Sequence, residues 1–161
     1  MTRPVPVHYL RPNEREWTPA AIIVLDTETR TLARDGREVL ALRLWAASYD
    51  DRRTRGNAAA RSLTARGLTA QELESQIDAW LTGRESVWLF AHNLAFDLLV
   101  SRLHRELRRH GWTIRDSSIG GRSPWLILGK GRKTITVTDS SSYLPLPLEE
   151  IGVRLRMPKL A

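Results

Sequence analysis

Two carboxylates stand two positions apart directly after an apolar run of the sequence. The run Ala20–Leu25 is followed by Asp26, Thr27 and Glu28. Because side chains alternate along a strand, Asp26 and Glu28 are expected to point to the same side. Paired acids repel each other, and Mg²⁺ or Mn²⁺ relieves that repulsion while gaining the oxygen ligands it prefers. The alternative is that the strand ends here and both acids are solvated turn residues.

A second group of polar residues joins a short apolar run to a helical pattern. The segment His92–Asp97 reads HNLAFD, and it places Asp97 in the first helical turn beside Phe96. A simpler reading makes Asp97 an acid stabilised by the helix dipole and Asn93 an N-cap. Both readings of this segment remain open from the residues alone.

A third polar cluster follows another strand-like run. It reads TDSSSYLP over 138–145 and contains Asp139 and Ser140. The alternative to a functional role is an ordinary loop in which Asp and Ser side chains cap backbone groups.

These three clusters need strands and helices to bring them together. Strands are predicted at 20–25, 39–49, 87–91, 112–117, 125–128 and 133–138. The Asp35-Gly36 turn pairs the first two strands, and residues 51–66 are predicted as a loop. Helices are predicted at 69–81 with a Thr69/Glu72 capping box, at 95–110, and at 148–155. This order predicts one α/β domain over 20–161 with a mixed sheet flanked by helices.

The 95–110 helix has two predicted faces. Phe96, Leu99, Leu103 and Leu107 form the expected core face. The opposite face is basic and contains three arginines, Arg102, Arg105 and Arg109.

Composition limits the kind of partner. The net charge is +7, and 22 of the 25 basic residues are arginine. Arginine matches phosphate oxygens, which favours a polyanionic partner, although these residues could equally be a solvated surface.

The absence of cysteine excludes disulfides and thiolate metal sites and suits the cytoplasm. No apolar run approaches the roughly 18 residues of a membrane span, so no membrane partner is expected. Residues 1–19 contain four prolines and are predicted to form an extended arm.

Taken in order, the three clusters resemble the 3′→5′ exonuclease domain of family B DNA polymerases, most of all the protein-primed phage type. That family shows DxET, then HNLxFD, then DSLxxLPxPxxxIA. This chain has DTET at 26–29, HNLAFD at 92–97 and DSSSYLPLP at 139–147, followed by Ile151-Gly152. The resemblance covers about Ile22 to Leu155.

The resemblance implies a ribonuclease-H-like fold and a DEDD-type, metal-dependent exonuclease that removes nucleotides from single-stranded DNA ends. It implies two divalent ions, Mg²⁺ or Mn²⁺, held by Asp26, Glu28 and Asp97. It also implies that the single strand contacts Thr29, His92, Asn93, Phe96 and Ser140. RNA is not excluded, since nothing in the sequence reads a 2′-hydroxyl. A polymerase domain or a C-terminal region outside this chain is a further expected partner.

The chain departs from the family pattern in two places. Ser141 replaces the usual leucine, and the family's fourth acid, in a YxxxD-type motif, has no counterpart before Ala161. We therefore expect one ion to bind weakly and this chain alone to show little or no nuclease activity, with Mn²⁺ rescuing a trace. The rival function is a catalytically incomplete module that binds single-stranded nucleic acid or acts as a scaffold.

Overall fold

A computed structural model of the protein describes Pro19 and residues 21–51, 63–83, 85–120 and 123–156. The strands in these ranges are β1 (Ala21–Arg34), β2 (Arg37–Asp51), β3 (Leu63–Gly67), β4 (Ser86–Ala91), β5 (Thr113–Ser118), β6 (Trp125–Lys130) and β7 (Lys133–Asp139). The helices are α1 (Ala70–Trp80), α2 (Leu94–Ser101), α3 (Leu103–Arg109) and α4 (Leu148–Arg154), with a 3₁₀ turn at Ser140–Ser142. The predicted N-terminal arm lies outside the described residues except for Pro19.

The strands form one seven-stranded sheet in the order β3-β2-β1-β4-β7-β6-β5. The central strands β1, β4 and β7 are parallel, and all other neighbours are antiparallel. The predicted mixed α/β sheet is therefore confirmed. The predicted pairing of β1 with β2 through Asp35-Gly36 is also confirmed, and both turn residues have positive φ angles.

The core lies on one face of this sheet. Ile23 and Leu25 of β1 are buried, whereas Val24 between them is 51% exposed on the opposite face. On β4, Leu89 is buried and Phe90 is only partly buried. Buried residues of α1, α2 and α3 belong to the same apolar cluster as the buried strand residues, so these helices cover one face of the sheet. Each fully buried side chain of this kind stabilises the fold by about 1.5–3 kcal/mol.

Helix α1 begins as the sequence predicts. The Thr69 hydroxyl accepts the Glu72 backbone N–H at 3.2 Å, and the Glu72 carboxylate accepts the Thr69 N–H at 3.0 Å. The Trp45 indole N–H donates to the Thr69 carbonyl at 2.9 Å, which joins the start of the helix to β2. The capping box therefore both starts α1 and fixes it against the sheet.

The single helix predicted at 95–110 is wrong, because the chain forms two helices that meet at Arg102. Arg102 has a left-handed backbone with φ 52 and ψ 21. The Ser101 hydroxyl donates to the Asp97 carbonyl at 2.6 Å and accepts the Leu103 N–H at 3.2 Å. These bonds satisfy backbone groups that a continuous helix would have paired.

The break changes which side chains reach the core. Leu103 and Leu107 are buried as predicted. Leu99 is 72% exposed, so its predicted place on the core face is wrong, and Phe96 is only partly buried. Arg102 lies in the break, while Arg105 is exposed on α3.

The loop predicted at 51–66 is wrong at both of its ends. Asp51 belongs to β2, and Leu63–Gly67 forms β3, which pairs with Trp45–Tyr49 of β2. The intervening residues lie outside the described ranges.

Beyond the central sheet, β1 and β2 continue as a two-stranded arm, defined here as residues 29–42. β4 pairs with β1 only over Ile22–Leu25, whereas β2 pairs with β1 as far as the Asp35-Gly36 turn. A groove of about 530 Å³ separates the arm from α2, and its lining includes apolar residues such as Leu40 and Leu99 as well as Arg34 and Arg102. Among the helices described, none has the length and apolar character needed to cross a membrane.

Candidate functional site

The three polar clusters meet at one end of the sheet. β1, β4 and β7 are parallel neighbours, with Leu25 opposite Ala91 and Ala91 opposite Asp139. The residues that follow these positions therefore emerge at the same sheet edge. In open α/β sheets, ligands bind outside the carboxyl ends of the strands. This edge is the candidate functional site.

Asp26 and Glu28 lie just past the point where β4 stops pairing with β1. Both side chains are exposed, while Thr27 between them is buried toward the helices. A β-bulge follows between Glu28 and Thr29. Within the described ranges, neither carboxylate makes a hydrogen bond or an ion pair. Two acids thus point from one side of the strand with their oxygens available.

Asp97 approaches the same strand from the helix layer. It is 3% exposed in the first turn of α2, and its Oδ1 accepts the Thr27 hydroxyl at 2.5 Å. Asp97 is therefore a buried partner of β1, and its position in the first turn of α2 also fits the simpler reading of an acid stabilised by the helix dipole.

The surroundings of Asp97 favour its protonated form. Burial is the main cause that raises the pKa of Asp97 from 3.8 to about 6, and the Thr27 hydrogen bond opposes it. The negative charges of Asp26 and Asp139 raise the pKa further, while His92 lowers it. Asp26, Asp139 and His92 therefore lie close enough to Asp97 to affect the charge of its carboxyl group.

Asp139 holds the start of α2. Its Oδ1 accepts the Asn93 N–H at 3.2 Å and the Ser141 N–H at 2.8 Å, and its Oδ2 accepts the Leu94 N–H at 3.0 Å. Burial would raise the pKa of Asp139, but the hydrogen bonds from Ser141, Leu94 and Asn93 outweigh it and lower the pKa below its usual value. The capping reading of this loop therefore describes Asp139 well.

Asn93 occupies the N-cap position of α2 without capping it. Its backbone is left-handed, with φ 78 and ψ 57, and its side chain makes no capping hydrogen bond. The side chain is exposed. The simpler reading of Asn93 as an N-cap residue is thus wrong for its side chain, which leaves the amide group free to face a ligand.

His92 is tied to the end of β7 through Ser140. The Ser140 hydroxyl lies 3.1 Å from His92 Nδ1 and donates to the Ala91 carbonyl at 3.2 Å. A hydroxyl has one proton, so when Ser140 donates to Ala91 it must accept from His92 Nδ1–H. In the neutral imidazole, Nε2 is then left as the acceptor.

The predicted site residues are brought to one edge, but their contacts differ. The Ser140 hydroxyl contacts His92 directly. Asp139, which precedes Ser140 in the chain, accepts the Asn93 N–H. Thr29 and Phe96 are partly buried nearby. In the part of the chain that the structure describes, no three acid or histidine side chains lie close enough to hold a cation. A shared coordination shell for Asp26, Glu28 and Asp97 stays a prediction.

Two residues of this edge were missed by sequence reasoning as parts of the site. Strand alternation alone would have placed Thr27 on the buried side, where it meets Asp97. No sequence signal reveals that Asp139 caps a helix that begins 45 residues earlier.

The donor chemistry of the edge suits a divalent cation. Two exposed carboxylates are available on β1, and a third, that of Asp97, interacts electrostatically with one of them, Asp26. Oxygen ligands of this kind are those that Mg²⁺ and Mn²⁺ prefer. Comparison with protein-family models, curated proteins and solved structures gave no match to this chain. Any functional assignment therefore rests on the geometry of this edge.

Proposed function

We propose that the chain is a DEDD-type, metal-dependent 3′→5′ exonuclease with a ribonuclease-H-like fold that acts on single-stranded DNA ends. One observation supports this most: the adjacent parallel strands β1 and β4 bring Asp26, Glu28 and the buried Asp97 to the same sheet edge. Carboxyl groups with a strongly perturbed pKa, such as Asp97, cluster at functional sites. The raised pKa of Asp97 is consistent with that role.

The proposal gives each residue a task. Asp26, Glu28 and Asp97 would hold two ions, Mg²⁺ or Mn²⁺, which supply an activated water and stabilise the leaving oxygen. Because the pKa of Asp97 is about 6, its carboxyl group is largely protonated below that pH and must release its proton to act as a ligand. Metal binding is therefore expected to release a proton in this pH range.

A second group of residues would hold the single strand. The exposed amide of Asn93, the hydroxyls of Thr29 and Ser140 and the imidazole of His92 can hydrogen-bond phosphate and sugar oxygens. Phe96 is partly exposed beside Asp97, where its ring can contact a terminal base.

Net positive charge supports a nucleic-acid partner. The chain has a net charge of +7, and Arg102 and Arg105 are exposed near the α2–α3 break. Arg109 is less available because it pairs with Glu106 at 2.5 Å. Binding to single-stranded DNA should weaken as salt increases, because phosphate neutralisation releases counterions.

A catalytically incomplete module that binds single-stranded nucleic acid is the second candidate. It is favoured by the lack, among the described residues, of three acid or histidine side chains close enough to hold a cation. This candidate keeps the basic surface and the polar loop but hydrolyses nothing.

A digestion assay separates the two candidates. Single strands labelled at the 5′ or the 3′ end are incubated with Mg²⁺ or Mn²⁺, and RNA is tested beside DNA. We expect slow, Mn²⁺-supported loss of nucleotides from the 3′ end that Asp26→Ala abolishes. Asp116→Asn is the control, because Asp116 is an exposed acid on the edge strand β5. Salt-sensitive binding without digestion would favour the second candidate, and neither binding nor digestion would exclude both.

A further inference from the structure

The buried carboxylate of Asp139 joins two loops that are distant in the sequence. Three backbone N–H groups converge on it, from Asn93, Leu94 and Ser141, at 2.8–3.2 Å. Asp139 is 4% exposed and ends β7, whereas Asn93 and Leu94 begin α2 after β4. The first turn of α2 is thus capped from another strand.

This external cap replaces one that α2 lacks locally. Helix N-termini need acceptors for their free N–H groups, and a side chain at the N-cap position normally supplies one. Asn93 fills that position but makes no such bond. Asp139 supplies two acceptor oxygens instead, and their negative charge is also favoured by the helix dipole.

The hydrogen bonds to Asp139 also hold Asn93 in an unfavourable backbone conformation. Asn93 has φ 78, in the left-handed region that asparagine adopts more often than most residues with a Cβ atom but that is still less favourable than the right-handed region. Charge-assisted hydrogen bonds are stronger than neutral ones, so they can offset this strain. Without these hydrogen bonds, we expect the loop between Ala91 and Leu94 to relax toward a more common backbone conformation.

The loop determines where the candidate site residues point. Asp97 follows three residues after Leu94 within the same short helix and contacts Thr27 of β1. His92 precedes Asn93 and bonds to Ser140, the neighbour of Asp139. Movement of residues 92–94 would therefore displace both Asp97 and His92.

We propose that Asp139 is a positioning residue of the candidate site: its carboxylate fixes the left-handed Asn93 and the first turn of α2, and so places Asp97 and His92 at the strand ends. The proposal rests on the proposed function for its catalytic consequence. The oxygens of Asp139 already accept three backbone N–H groups, so the role assigned to this carboxylate is to hold the loop.

The test compares the wild-type protein with Asp139→Asn and with the control Asp116→Asn. Asparagine keeps the shape of the side chain but offers one acceptor oxygen in place of two. Asp116 is a suitable control because its carboxylate accepts a single backbone N–H, that of Ser117 at 2.9 Å, on an exposed edge strand. Amide hydrogen exchange is measured by NMR at Asn93 and Leu94, with Leu89 in β4 as the reference for global unfolding.

In Asp139→Asn, we expect exchange at Asn93 and Leu94 to accelerate at least about tenfold relative to Leu89. The backbone coupling and carbon shifts of Asn93 should lose their left-handed signature. The control should change neither. If the wild-type enzyme is active, Asp139→Asn should lower kcat about tenfold or more and also raise KM, because the loosened loop carries His92 and Asn93, which are proposed to contact the single strand, and misplaces the catalytic carboxylate of Asp97.

Unchanged exchange and an unchanged Asn93 signature in Asp139→Asn would overturn the proposal, as would a loosened loop with unaltered kcat. If Asp139→Asn fails to fold, amide exchange in the wild-type protein tests the cap instead. The Leu94 amide should then be protected from exchange. A Leu94 amide that exchanges as fast as an amide in an exposed loop would contradict the cap. A wild-type protein that is inactive with Mn²⁺ as well as with Mg²⁺ would sink the proposed exonuclease but leave the exchange results valid, so the two failures are distinguishable.

Discussion

Replacing Asp97 by asparagine should stabilise the protein at neutral pH. Asp97 is 3% exposed, and its pKa is raised from 3.8 to about 6, chiefly by burial. Asparagine has nearly the same shape, cannot ionise, and its side-chain oxygen can still accept the Thr27 hydroxyl. The substitution therefore removes a buried charge without emptying the core.

The direction of the pH dependence follows from proton release. Below about pH 3.8, Asp97 is protonated in the folded and unfolded states, so its ionisation does not affect stability. As the pH rises, the unfolded chain loses the proton first, and the folded wild-type protein loses stability until the pH passes about 6. Asp97→Asn cannot ionise at this position and so does not lose this stability. Its free energy of unfolding should therefore exceed that of wild type by a growing amount as the pH rises from about 3.8 to about 6.

The magnitude follows from the size of the pKa shift. Each pKa unit corresponds to 1.36 kcal/mol, so a shift of roughly two units amounts to about 3 kcal/mol over the whole window. About 2 kcal/mol of this falls between pH 4.5 and pH 8.

Urea unfolding at those two pH values, with a chelator present to remove metal ions, measures the free energy of unfolding of wild type, Asp97→Asn and Asp116→Asn. Asp116 is exposed, so its substitution should change stability by no more than about 0.5 kcal/mol at either pH. An Asp97→Asn advantage of equal size at pH 4.5 and pH 8 would refute the reasoning, because it would show that the Asp97 carboxyl is not destabilised by burial. Under the proposed function, the same stabilising substitution should abolish digestion.

Three further predictions concern the fold and the site. Leu103→Ala should lower the free energy of unfolding by about 2–5 kcal/mol because Leu103 is fully buried, whereas Leu99→Ala at a 72% exposed position should change it by less than about 0.5 kcal/mol, as urea unfolding will show. Thr69→Ala should cost about 1 kcal/mol through the lost capping box, and Thr69→Ser should restore most of it in the same measurement. Nitrogen NMR shifts of neutral His92 should show the proton on Nδ1, and equal tautomer populations in wild type and Ser140→Ala would contradict the assigned hydrogen bond.

The parts of the fold that the sequence predicted depend on local signals. Asp35-Gly36 supplies the positive φ angles of the β1–β2 turn, and Thr69 with Glu72 starts α1. β3 was missed because Leu63 is its only large apolar residue, so its pairing with β2 depends on the neighbouring strand. The break at Arg102 was missed because arginine is not a usual left-handed residue, and its supporting bonds come from the Ser101 hydroxyl.

The candidate site likewise combines features that have a local sequence signal with features that depend on distant parts of the chain. Its chain positions were predictable, since polar clusters follow strand-like runs at Asp26, His92 and Asp139. The contact of Asp97 with Thr27 joins residues 70 positions apart, and no local pattern encodes it. Burial of Asp97, which raises its pKa, likewise depends on packing between α2 and β1.

The arm formed by residues 29–42 acts mechanically as a lever whose pivot adjoins the candidate site. It leaves the sheet at the bulge between Glu28 and Thr29, and bulges bend a strand and increase its twist. From Thr29 to Arg34 the arm reaches about 17 Å at the usual rise per residue. A load applied at the Asp35-Gly36 tip would therefore exert its largest bending moment at this bulge, beside Glu28 and Thr29.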